Sequence, residues 1–223
     1  MAFFTQDFVD FFTELKENNT KDWFDEHRKR YENSIKKPFK TFVEHMIACV
    51  HEHDQEVKIE AKAATLRINR DIRFSKDKTP YNTSMRAIIS ARGTKDKMYP
   101  GMYLGLGSNG VGFYGGAHML DKENLQAVRE AIVDHPDEFA ALLEAADFKN
   151  KFGEVRGEKN KRLPKEFQAP AEQQPLLFNK SFYYHAELGL EAVTAEDLPD
   201  LIMAHWHAAR PLQKFLLQAM GLK

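Results

Sequence analysis

Apolar residues recur at helical spacing over roughly the first fifty positions and at alternate positions through the middle of the chain, and this change of period organises the sequence. Phe4, Phe8, Phe11, Phe12 and Leu15 form the first helical stripe, with Thr5 placed to cap it and Asn18-Asn19 closing it. Asn19 followed by Asp22 reads as a second helix start, and Trp23, Phe24, His27, Tyr31 and Ile35 line a face as far as Lys37-Pro38. Phe39, Phe42, Val43, Met46, Ile47 and Val50 continue the spacing, with a kink or restart predicted at the proline.

After Glu60 the alternation begins. Taken as a strand, Leu66–Phe74 turns Leu66, Ile68, Ile72 and Phe74 to one side and Arg67, Asn69, Asp71 and Arg73 to the other. Arg70 falls on the apolar side, where an unpaired guanidinium is too costly to desolvate, so it is expected to meet a carboxylate, a ligand anion or solvent. A turn-prone loop, Ser75 to Tyr81, follows, and then a second strand with Met85, Ala87, Ile89 and Ala91 on one face. Met102, Leu104 and Leu106 before Ser108-Asn109-Gly110, with Val111 and Phe113 after, predict a β-hairpin turning at Asn109-Gly110. Asp121 is placed to cap a helix carrying Leu125, Val128 and Ile132, and Pro136 to open the next. Phe148 to Gln174, polar and broken by Gly153, Gly157, Pro164 and Pro170, reads as a surface loop rather than a domain linker. Ser181–Leu188 is a late strand, and Asp197 with Asp200 starts a last helix that Arg210-Pro211 interrupts. The expectation is one α+β domain over residues 1–223, an antiparallel or mixed central sheet packed with N-terminal and C-terminal helices.

Five segments, in order, resemble a known family. They are NNTKDWFDEHRKRYE (Asn18 to Glu32), RINRDIRFSKDKTPYNT (Arg67 to Thr83), YPGMYLGLGSNGVGFYGGAHML (Tyr99 to Leu120), FGEVRGEKNKRLPKEF (Phe152 to Phe167) and NKSFYYHAEL (Asn179 to Leu188). The family is the domain of unknown function family 2461, found mostly in bacteria, and the run from Arg70 to Tyr81 is the most specific of the matching pieces. The resemblance implies no particular activity, cofactor or catalytic residue.

Composition narrows the chemistry. A formal net charge of -1 gives no global field toward nucleic acid or membrane, so any affinity for anions has to come from local clusters. Residues 65 to 81 carry Arg67, Arg70, Arg73, Lys76 and Lys78 against Asp71 and Asp77, and residues 149 to 165 carry seven cations against Glu154 and Glu158. The single cysteine, Cys49, excludes an intrachain disulfide and fits a reducing compartment, here taken as the cytoplasm, and it reads as a packed thiol rather than a nucleophile. MAFFTQDF lacks the features of a signal peptide, and no uninterrupted apolar stretch is long enough to span a bilayer.

Several motifs are set aside on physical grounds. Gly105, Gly107 and Gly110 match G-x-G-x-x-G, but a dinucleotide site needs a helix after the third glycine and this sequence continues as strand. His51 and His53, like His205 and His207, sit two apart and so on different faces of a helix, which predicts no metal site. Ser75 and Ser84 lie near cations without a local base. Trp23, His27 and Tyr31 read as core packing, or as the aromatic wall of a ligand pocket with His27 available for proton transfer.

The expected function is a module that binds a phosphate-bearing or other anionic small molecule through Arg67, Arg70, Arg73, Lys76, Lys78 and Tyr81, with Trp23 and His27 nearby and no cofactor. The alternative is an enzyme on such a substrate, with Asp71 or His27 as acid or base, and the test between them is whether Asp71 is free or locked to an arginine. A nucleic-acid-binding or protein-interaction domain ranks third, the nucleic-acid reading favoured by the two basic segments and weakened by the net charge.

Overall fold

A computed structural model describes residues 1–222 and shows an α+β fold. Its strands β1 (Thr65–Leu66), β2 (Ser84–Ile89), β3 (Met102–Gly107), β4 (Gly110–Ala117) and β5 (Phe182–Leu188) form one antiparallel sheet in chain order. The chain clusters into two compact units. One comprises Met1–Lys95, Tyr103–Phe113 and Glu187–Met203; the other comprises Asp96–Met102, Tyr114–Ala186 and the residues from Ala204 on.

In the first unit the predicted stripes become helices α1 (Gln6–Glu17), α2 (Lys21–Glu26) and α3 (Lys37–His53). Their apolar faces build an aromatic core in which Phe8 packs on Phe4 at 4.4 Å and on Phe12 at 5.2 Å, and Phe42 on Phe4 at 5.2 Å. Enclosing each such ring contributes about 1.5–3 kcal/mol. Thr20, not Asn19, caps α2, accepting from the Trp23 amide at 3.3 Å, because Asn19 is used elsewhere. The irregularity expected at Pro38 is a π-helical segment, Tyr31–Lys36, leading into α3. Proline has no N–H for the preceding turn, and a wider turn absorbs the mismatch. Arg30 pins this region to α1, donating to Asp7 at 2.8 Å and to both oxygens of Glu14 at 2.7 and 3.1 Å.

The largest departure from the sequence expectation lies in Leu66–Phe74. Regular pairing ends after Thr65↔Ala87 and Leu66↔Arg86, and the ladder resumes irregularly with Asn69↔Tyr81, flanked by Asn82 N–H to Ile68 O and Arg70 N–H to Pro80 O, both 2.8 Å. The paired numbers sum to 152 at Leu66↔Arg86 and to 150 at Asn69↔Tyr81, so the return strand bulges by two residues. β1 and β2 are therefore one long hairpin whose tip is residues 71–79. Ile68 is buried as expected, but Phe74 stands 96% exposed at the tip instead of on an apolar face.

The second unit contains α4 (Lys122–Asp134), α5 (Pro136–Glu144), α6 (Ala146–Phe152) and most of α7 (Leu198–Ala219). Asp121 caps α4 through the Asn124 amide at 2.8 Å, and Pro136 opens α5, both as predicted. Pro211 does not interrupt α7, since Leu212, Phe215 and Leu216 beyond it are buried and hold the helix. Nor is Phe148–Gln174 mostly loop: it contains the end of α6, short helices Lys165–Gln168 and Pro170–Gln173, and bridges Arg156↔Tyr183 and Lys159↔Asn179 onto the β5 region. Arg129 of α4 is 5% exposed and donates from Nε to Leu177 O at 2.9 Å and from Nη2 to Asn179 O at 3.1 Å. Its desolvation draws the guanidinium pKa down.

If residues 1–223 form one folding domain, denaturant unfolding followed by the fluorescence of Trp23 in the first unit, of Trp206 in the second and by circular dichroism gives coincident transitions. Two separated transitions divide the chain at the unit boundaries. Among the described residues no helix is long and apolar enough to cross a membrane.

Candidate functional site

The hairpin tip is a short loop carrying more cations than anions, braced by its own side chains. Arg70 projects its Nη1 to Asp77 Oδ2 at 2.5 Å and also donates to the carbonyl at 3.2 Å and the hydroxyl of Thr79. Asp77 in turn accepts from the Thr79 amide at 2.9 Å. That backbone bond first, and Arg70 second, hold the Asp77 carboxyl down at about 2. Because this folded value lies below the unfolded one, the brace is complete above the ordinary carboxylate range and is lost as the pH falls toward about 2. Arg73 grips Asp71 with Nε at 3.0 Å and Nη2 at 2.7 Å, and lowers its pKa. Lys78 Nζ caps the Ile72 carbonyl at 2.9 Å.

The two acids thus occupy two of the five cations, and the surplus charge of +3 resides on Arg67, Lys76 and Lys78, which make no ion pair among the described residues. Phe74 is exposed on the same tip, with the Arg73 guanidinium 5.9 Å from its ring centre. Of the three partners expected for Arg70, a carboxylate, a ligand anion or solvent, the structure shows a carboxylate, that of Asp77. Asp71 is the locked acid, not a free one.

Tyr81, expected to face a ligand, is instead buried, stacked on Phe24 at 4.0 Å and 16°. Its role is to root the hairpin. Asn19 completes that root with a two-way clamp, its Nδ2 donating to Tyr81 O at 2.9 Å and its Oδ1 accepting from Tyr81 N–H at 3.0 Å. Asn19 was legible only as a capping residue, since nothing local in the sequence announces a contact 62 positions away. Trp23 and His27 stack on each other at 4.0 Å, with His27 Nδ1–H donating to Trp23 O at 2.8 Å. Among the described residues neither ring makes a hydrogen bond, ion pair or ring contact with the hairpin tip. Tyr31 is core, its hydroxyl 3.7 Å from Met85 Sδ and pushed up to about 12 by burial.

Arg86 was also missed. It follows the bulge on β2, runs beside Gly105, donates to the Arg67 carbonyl at 3.2 Å, and keeps a buried Nε without an acceptor. Two glycines of the G-x-G-x-x-G match are accounted for by close backbone approach, since Thr83 O lies where a Gly107 side chain would start and Leu188 O where a Gly110 side chain would start. Carbonyl oxygens in those places repel a phosphate. Among the described residues no three His, Cys, Asp or Glu side chains cluster to hold a metal ion.

A five-stranded antiparallel sheet with flanking helices and a braced cationic hairpin places the protein among α+β proteins built in chain order. The chain belongs to the family described as Conserved hypothetical protein (DUF2461), which matches residues 7–215. No curated protein and no solved structure matches the chain.

Proposed function

We propose that the protein is a binding module for a phosphate-bearing or otherwise anionic small molecule, held by Lys76 and Lys78 of the hairpin tip and by Arg67 on the strand leading into it. The observation that carries this reading is a division of labour: Arg70 and Arg73 are spent on the two carboxylates of the tip, which fixes the loop and leaves Lys76 and Lys78 on it, and Arg67 on the strand before it, exposed without an ion pair among the described residues. A loop fixed before binding loses less entropy when an anion arrives. Arg70 and Arg73 serve as positioning groups here, and Phe74 offers a ring to a ligand that has an apolar part. The acid–base alternative has less support, because Asp71 is engaged by Arg73 and held below the usual carboxylate range. A single cysteine among 223 residues supports a reducing, cytoplasmic setting.

The test is the melting shift produced by phosphate, pyrophosphate and sulfate at matched ionic strength. The unsubstituted protein is expected to gain stability most from the polyvalent anions. Lys76→Ala and Lys78→Ala each weaken anion affinity roughly two- to fivefold, the range of exposed charge contacts, and the loss shrinks as salt rises. Arg70→Met loses the effect because the loop loses its brace. Equal shifts in all four proteins refute the site.

A further inference from the structure

The second unit presents rings on the face of β4 and β5 opposite its core. Phe182, Tyr184 and Ala186 are buried, so Tyr183 and His185 turn the other way. Across the strand pair Tyr114 stacks on His185 at 5.6 Å and 13°, and His118 meets Tyr183 edge-on at 5.6 Å. Two cross-strand ring pairs therefore stand in a row about 7 Å apart along β5. Tyr114 is 37% exposed, His118 and Met119 beyond it are exposed, and Tyr183 and His185 are half-buried.

A basic segment runs along the same strand. Arg156 and Tyr183 exchange backbone bonds at 2.7 and 3.0 Å, and Lys180 N–H reaches Glu158 O at 2.7 Å, so residues 156–159 extend antiparallel to the start of β5. Arg156 Nη1 lies 3.3 and 3.2 Å from the two ring nitrogens of His185, which joins the cations to the rings. Beyond it Lys159, Lys161, Arg162 and Lys165 are exposed and make no ion pair among the described residues.

We infer that this face binds single-stranded nucleic acid, with bases stacking on Tyr114–His185 and Tyr183–His118 and phosphates tracking along Arg156, Lys159, Lys161 and Arg162. The cations are strung out along an extended segment, which matches a repeating phosphate better than one anion. Exposed rings on a sheet face serve unpaired bases, since a duplex keeps its bases stacked inside. The site shares no residue with the hairpin tip.

Anisotropy of labelled oligouridylate and oligoadenylate, with a duplex and inorganic polyphosphate as competitors, tests it. Tyr114→Ala is expected to weaken single-strand binding about tenfold with little change in salt dependence, while Tyr114→Phe retains it. His185→Ala, at a half-exposed position, makes the same test if Tyr114→Ala fails to fold. Replacing Lys159, Lys161 and Arg162 by alanine lowers the slope of log affinity against log salt by about 0.7 per lost contact. The inference is overturned if no saturable binding occurs at low salt, if duplex competes as well as single strands, or if affinity is indifferent to Tyr114→Ala and His185→Ala, which reduces the face to a patch of charge.

Discussion

Gly107→Ala is expected to lower the melting temperature by roughly 10 °C, while Gly105→Ala, two residues earlier on the same strand, leaves it almost unchanged. A side-chain carbon at Gly107 falls 2.2 Å from Thr83 O and 2.7 Å from Ser84 Cα, and both of those atoms are backbone. Nothing flexible can yield, so the β3 end and the bulge must part, and the Ser108 N–H bond to Thr83 O at 3.2 Å goes with them. Overpacking of this kind costs about 1–3 kcal/mol and the lost bond about 1 more. At Gly105 the nearest atom is the flexible Cγ of Arg86 at 3.8 Å, an ordinary contact. Thermal unfolding of the two variants side by side checks this, and equal losses would mean that close approach is not what selects glycine at position 107.

Arg129→Met is expected to cost about 3 kcal/mol of unfolding free energy, read as a lower denaturant midpoint at unchanged slope. Two effects compete. Removing a desolvated cation brings relief, but a guanidinium is weakly hydrated and that relief is small for a charged group. Against it stand two charge-assisted bonds of about 1.5–3 kcal/mol each and the stranding of Leu177 O and Asn179 O in the interior. Methionine replaces the packing against Phe167 but not the donors. Arg129→Lys is expected to recover part of the loss, since one ammonium cannot match the fork. A variant as stable as the parent would show that water reaches these carbonyls.

The helices and the β3–β4 hairpin were legible in the sequence because their signals are local: stripes at helical spacing, Asp121 three residues before the amide it caps, and a turn signal between alternating runs, although the turn itself is Ser108-Asn109 and Gly110 already opens β4. The basic tip was legible as a charge cluster. What could not be read was how it is spent, because alternation from Leu66 to Phe74 continues past the point where Arg70, Asp77 and Thr79 turn the chain. Period-2 patterning marks which residues alternate, and says nothing of whether a partner strand stays in register. Arg86, Asn19 and the Tyr114–His185 pair escaped for a related reason: each is defined by a partner on a distant segment, and its own neighbours in the chain carry no trace of it.

The division of the chain into interleaved segments bears on how the protein is made. The first unit includes residues 187–203, and Leu188 O packs against Gly110. At about 5–20 residues per second, a ribosome that has delivered residue 95 requires roughly 5 to 20 s more to deliver residue 187. Throughout that interval the phenylalanine-rich helices lack residues 187–203 of their own unit. Splitting the gene after residue 95 is for the same reason expected to yield two insoluble fragments that regain solubility when co-expressed.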